Sequence, residues 1–122
     1  MLVLTGCGSE GTVNATPQTV VGTVQQEAPG KAIFINQGCG SCHTYGPAGQ
    51  DANGNIGPDL DKLSQYATQA KQPLDTFVHE SIVKPDAYIQ PGFPKGVMPK
   101  SYASLSQQDL KDLVDFLTKP QG

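Results

Sequence analysis

Cys39-Gly40-Ser41-Cys42-His43 is the stretch that decides how this 122-residue chain is read. Two thiols three positions apart, with an imidazole at the next position, form the attachment pattern of a covalently bound haem. The spacing has a chemical reason. Each thiol adds to one vinyl group of the porphyrin, and the adjacent His43 is then carried beneath the ring with a nitrogen on the iron. Either cysteine alone would leave the group half tethered.

Three other readings compete for the same residues. A redox dithiol wants a βαβ setting, and the flanks here are rich in Gly, Pro and Asn with no strand-like runs. A zinc site drawn from Cys39, Cys42, His43 and the distant His79 lacks the second spaced ligand pair that structural zinc uses. A disulfide between Cys39 and Cys42 would close too short a loop to stabilise much.

Length and composition suit a small cofactor protein. The chain is long enough for one domain, and 37% hydrophobic residues with no Trp make a thin core unless something apolar fills it. With 14 Gly and 10 Pro it is loop-rich, and its net charge of −3 argues against nucleic acid and offers no basic membrane face. All 8 basic residues are Lys. Without Arg there is no bidentate clamp for haem propionates, which leaves Lys, Tyr, Asn or backbone N–H groups to satisfy them.

Leu4-Thr5-Gly6-Cys7 resembles the bacterial lipobox, in which cleavage before the cysteine exposes it for acylation. Only six residues precede Cys7, with no basic start and too short an apolar stretch for export, so residues 1–6 read as the remnant of a signal peptide. Ser, Glu, Gly, Thr, Val and Gln without helical period then make a flexible tether over 7–29 with a reach of about 25 Å. No run of about 20 apolar residues occurs that would span a bilayer.

Beyond the tether the pattern becomes helical. A short helix is expected over 30–37, gripping through Ile33 and Phe34 and ended by Gly38 at a position suited to positive φ. The Gly/Pro punctuation from 44 to 58 predicts a loop, and one this long needs something to wrap. Further helices are expected over 59–66 and over 73–84, the second with Leu74, Phe77, Val78 and Ile82 on one face and Pro85 as its stop. The last helix is the clearest: Ser106 and Asp109 form a candidate capping box, Leu105 and Leu110 a staple, and Leu110, Leu113, Val114 and Leu117 repeat at helical spacing before Pro120. Nothing alternates with period two, so the fold class is all-α.

A second axial ligand has few sources. Met98 lies in the Gly/Pro-rich run Phe93-Pro94-Lys95-Gly96-Val97-Met98-Pro99, which can bring a thioether to the iron without helical geometry. His79 is the rival, one step off its helix's apolar stripe and expected to point outward. An open position is the remaining alternative.

These residues resemble the class I c-type cytochromes over residues 30–119. Gly30 with Phe34 is similar to that family's N-terminal helix motif, Cys39 to His43 to its haem site, and Gly57-Pro58-Asp59-Leu60 to its Gly-Pro-x-Leu segment. Met98-Pro99 resembles the distal ligand loop, and Leu113, Phe116 and Leu117 the C-terminal helix. The run from Phe77 through Glu80-Ser81-Ile82, Pro85, Ala87-Tyr88 and Pro91-Gly92-Phe93 to Met98 looks like the cytochrome domain fused to subunit II of some haem-copper oxidases. The resemblance implies four to five short helices wrapped around one haem c, held by Cys39 and Cys42 with His43 and Met98 on the iron. It also implies that Pro58 packs on His43 and accepts its N–H, and that the last helix crosses the first near Gly30. Residues 30–119 would be the cytochrome domain and 120–122 a tail.

With both axial positions filled there is no place for a substrate, so the expected function is outer-sphere transfer of single electrons rather than enzymatic turnover. The natural setting is the extracytoplasmic side of a bacterial membrane, with lipid on Cys7. The expected partners are a membrane respiratory complex as donor and a terminal oxidase or reductase as acceptor. Lys84, Lys95 and Lys100 bracket the Met98 loop, although scattered Lys is also ordinary solubilising surface. The competing function is a haem enzyme or gas sensor of the same fold with an open distal position.

Overall fold

The first and last α-helices of the described residues cross at a glycine. The computed structural model describes residues 28–121; the expectations for Cys7, the signal-peptide remnant and nearly all of the tether lie outside them. Helix α1 (Pro29–Asn36) starts from an extended Ala28, with Pro29 in the first turn, where a missing N–H costs nothing. It buries Gly30 and Phe34, one turn apart on one face. Helix α4, the last in the chain (Gln107–Thr118), buries Leu110, Leu113, Val114, Phe116 and Leu117. A Cβ on Gly30 would run into the Asp112 carbonyl and lie 2.6 Å from Phe116 Cβ, so only glycine lets these backbones approach so closely.

Three rings fill the crossing. Phe34 is wholly buried, its centroid 5.7 Å from Phe116 and 5.8 Å from Tyr45, and Tyr45 meets Phe116 edge-on at 5.3 Å. Such tilted and T-shaped pairs set ring edges against ring faces, and burying each side chain contributes about 2–3 kcal/mol. The Tyr45 hydroxyl donates to the Phe116 carbonyl at 2.7 Å, which satisfies its polar tip inside the cluster.

Local signals set the helix ends. Ser106 Oγ accepts the Asp109 N–H at 3.0 Å, the serine half of the expected capping box, while Leu105 packs partly buried against the core that holds Leu110. Helix α2 (Leu63–Gln69) starts later than the expected 59–66. Asp59 Oδ1 accepts the Asp61 N–H at 2.9 Å and folds Leu60–Lys62 into a 3-10 turn, so α-helical geometry begins only at Leu63. Helix α3 (Leu74–Val83) has Pro73 as its cap rather than its first residue, the Pro73 carbonyl accepting the Phe77 N–H at 2.9 Å. It stops at Lys84, ahead of Pro85, with Phe77, Val78 and Ile82 buried.

The 44–58 segment is irregular as expected, containing a 3-10 stretch Gly46–Asp51 and one isolated bridge between Thr44 and Asn53. Gly38 takes the expected positive φ, +76°. Four α-helices and no strand among the described residues make the fold all-α. None of those helices is long and apolar enough to cross a membrane. At the end of the chain, Gln121 bonds to Leu60 and Ser64, tying the stretch read as a tail to the start of α2.

Candidate functional site

Between the Cys39–His43 turn, α3, the 85–99 loop and α4 lies a cleft of about 1230 Å³, counting its open mouth. Cys39, Cys42, His43, Pro58 and Met98 all line it, which brings together every expected haem-site residue of the described chain. The remaining wall is largely apolar, including Leu63, Phe77, Val78, Ile82, Leu113 and Leu117.

Cys39 opens and Cys42 caps a 3-10 turn, Cys39–Ser41, that begins after Gln37 and Gly38 at the end of α1. The His43 N–H continues it, bonding to the Cys39 carbonyl at 3.1 Å, so backbone geometry alone carries both thiols and the imidazole into the cleft. His43 Nδ1 lies 2.6 Å from the Pro58 carbonyl oxygen. A carbonyl only accepts, so Nδ1 carries the proton and Nε2 keeps the ring's free lone pair. Burial pushes this imidazole below its ordinary pKa, with the Pro58 bond pulling weakly the other way. Gly57 fits against the ring face: a Cβ there would fall 2.5 Å from His43 Cε1 and 3.0 Å from Nε2.

The competing readings do not fit this arrangement. Burial pushes the Cys39 thiol up to about 11, the opposite of the lowered pKa that activates a redox dithiol. Cys39 and Cys42 are free thiols, not a disulfide. His79 is exposed, as expected, in a shallow groove with Asp75, Lys84 and Lys111. Among the described residues no three Cys, His, Asp or Glu side chains gather as a metal site.

A haem fits the donors and the walls. Two thiols and a neutral imidazole with a free lone pair are the groups that would attach and hold it, and the Met98 thioether lines the same cleft. Ile56 and Val97, 55% and 50% exposed, are large apolar side chains on the wall of this cleft, where a porphyrin would cover them.

Several cleft residues carried no signal in the sequence. Tyr102 donates its hydroxyl to the Gln37 carbonyl at 3.0 Å, linking the 3-10 turn Ser101–Ser104 to the end of α1. Its phenol is pushed up, by burial first and then by the neighbouring Cys39 and Cys42. Asp86 accepts the Gly96 N–H at 2.9 Å and pairs with Lys100 at 3.4 Å. An isolated Ile or Val in a Gly/Pro-rich loop was the available clue to Ile56 and Val97; a lone Asp or Tyr gives none. Of the three lysines around the Met98 loop, Lys100 is thus paired, while Lys84 lines the groove beside His79.

Comparison with known proteins agrees with this geometry. No curated protein matches the chain. The family model described as Cytochrome c matches residues 27–120, a span that takes in all four helices and the whole cleft. A two-thiol turn, a carbonyl-anchored histidine and a fitting apolar cleft, together with that match, mean that this chain belongs to the cytochrome c family and binds haem c covalently.

Proposed function

We propose that this protein is a single-electron carrier of a respiratory membrane, with Cys39 and Cys42 bonded to the haem vinyls and His43 Nε2 and Met98 sulphur on the iron. The observation that carries it is the placement of Met98 and the Cys39–His43 turn on one cleft. Bound haem supplies reversible one-electron chemistry at its iron. His43, held by Pro58, keeps its lone pair aimed and is made a stronger donor. Met98 would hold the iron through its sulphur, a donor that favours the reduced state and would occupy the place a small molecule needs. The apolar walls from α3 and α4 exclude water and hold the ligands still, which keeps reorganisation between oxidation states small.

In this reading the protein works on the extracytoplasmic face, anchored by lipid on Cys7, between a membrane respiratory complex and a terminal oxidase or reductase. The lipobox-like Leu4-Thr5-Gly6-Cys7 and the resemblance to the oxidase-fused cytochrome domain support it. A Cys7→Ser chain should leave the membrane fraction while retaining haem; retention on the membrane would remove the lipid anchor from the reading.

The test of the carrier itself is an absorption spectrum, oxidised and reduced, with and without carbon monoxide, on the matured protein. Sharp low-spin bands, a thioether-to-ferric band lost in Met98→Ala and indifference to carbon monoxide are expected. Uptake of carbon monoxide by the unmutated protein would move the function to a haem enzyme or gas sensor. Absence of covalent haem would overturn the assignment of Cys39 and Cys42.

A further inference from the structure

Met98 sits in a stretch without regular secondary structure, between the end of α3 at Val83 and the 3-10 turn Ser101–Ser104. A thioether is a weak ligand, so how long it stays on an iron depends on how firmly its loop is held. Within residues 94–99, the hydrogen bond that ties the loop back is Gly96 N–H to Asp86 Oδ1, 2.9 Å. The other oxygen of the same carboxylate, Oδ2, meets Lys100 Nζ at 3.4 Å. One side chain thus holds the chain two residues before Met98 and two residues after it. The Asp86 side chain is 19% exposed and lies on the wall of the same cleft as Met98. Its carboxyl is held below the ordinary carboxylate range, first by the Gly96 N–H and then by Lys100 and Lys95, so it is ionised whenever the loop is closed near neutral pH.

We propose that Asp86 is a positioning residue for Met98: its carboxylate closes the loop on both sides of the thioether and sets the fraction of molecules in which the distal position is open. This rests on the reading that Met98 is the distal ligand. A charge-assisted bond to a backbone N–H is the stronger of the two contacts, and the pair with Lys100, itself 72% exposed, is the weaker.

The experiment uses the matured ferric protein and imidazole as an added ligand that displaces the thioether, read from the shift of the main haem absorption band in every variant, with loss of the thioether-to-ferric band alongside it where Met98 is present. Apparent imidazole affinity scales with the open fraction. Asp86→Ala is expected to raise it about tenfold. Asp86→Asn keeps an oxygen for the Gly96 N–H and should recover part of that change, while Lys100→Ala should stay within about threefold of the parent. A purely structural Asp86 would shift the denaturation midpoint and leave imidazole affinity alone. If Asp86→Ala binds imidazole like the parent while Met98→Ala binds it far more tightly, the positioning role is overturned and Met98 ligation stands. If Met98→Ala and the parent bind imidazole alike, Met98 ligation fails and the positioning role fails with it.

Discussion

His43 Nδ1 and the Pro58 carbonyl oxygen are 2.6 Å apart, and the residue between them in the packing is Gly57, whose missing side chain leaves room for the imidazole. Any Cβ at 57 lies against Cε1 of the ring, so the ring must tilt or the 57–58 backbone must back away, and both movements lengthen the bond to Pro58. Gly57→Ala is therefore expected to weaken the electron push from His43 and raise the reduction potential, on the order of 50 mV, about tenfold in the redox equilibrium. Potentiometric titration of the matured parent and variant checks this. An unchanged potential with normal haem content would show that the ring absorbs the methyl without losing its anchor.

At the helix crossing the same argument concerns stability rather than potential. A Gly30→Ala methyl meets backbone, the Asp112 carbonyl, and Phe116 Cβ, neither of which can swing away. Overpacking of this kind costs about 1–3 kcal/mol, against which alanine's better helix propensity returns at most about 1 kcal/mol. Chemical denaturation should show a lower midpoint for Gly30→Ala, with the haem spectrum of the folded protein unaltered because the crossing lies behind the Phe34 ring cluster. A midpoint equal to the parent's would mean the helices separate at no cost.

Tyr45 makes a prediction in pH. Burial, and then the nearby Asp61 charge, raise its phenol to about 12 from an ordinary value near 10. The folded state therefore holds this proton where the unfolded chain has released it, and stability falls as pH rises. The contribution is complete below about pH 10 and lost as pH rises to about 12. Tyr45→Phe should be less stable than the parent at neutral pH, by about 1 kcal/mol for the lost bond to Phe116, yet lose less stability between pH 9 and about 11. Denaturation midpoints of both proteins across that range decide it; parallel slopes would place the alkaline sensitivity elsewhere.

The parts of this fold that were legible are those whose physics is local. Ser106, Leu105 and the 110/113/114/117 repeat announce α4 within a dozen residues, and its cap forms where they put it. The Cys39–His43 turn was legible because bond-forming chemistry fixes its spacing, and the place of Met98 on the cleft because one methionine lies in the domain. The crossing of α1 on α4 came from family resemblance, not from periodicity. What stayed hidden depends on contacts far apart in sequence: Tyr45 to Phe116 across 71 residues and Tyr102 to Gln37 across 65. A single distant hydrogen bond leaves no periodic trace. The late start of α2 was hidden for a different reason, since Asp59 is equally at home capping a helix or a 3-10 turn.

Gln121 makes another distant contact, to Ser64 and Leu60, and it can be tested alone. Helix α2 begins without a side-chain cap from its own neighbours, so the first-turn N–H of Ser64 needs an outside acceptor. Gln121 Oε1 accepts it at 3.2 Å, while Gln121 Nε2 donates to the Leu60 carbonyl at 2.6 Å. One amide thus serves a donor and an acceptor at once, a match that depends on its having both kinds of atom. Gln121→Ala removes both bonds and should cost about 1–2 kcal/mol. Gln121→Glu keeps an acceptor for Ser64 and adds a charge that a helix N-terminus favours, but sets a carboxylate oxygen against the Leu60 carbonyl. It should therefore be no more stable than the alanine variant near neutral pH and should recover on acidification, as the protonated carboxyl regains a donor. Denaturation midpoints at two pH values, with hydrogen exchange at the Ser64 amide, separate these outcomes. A Gln121→Glu chain as stable as the parent at neutral pH would show that the bond to Leu60 contributes nothing and that Gln121 acts as an acceptor only.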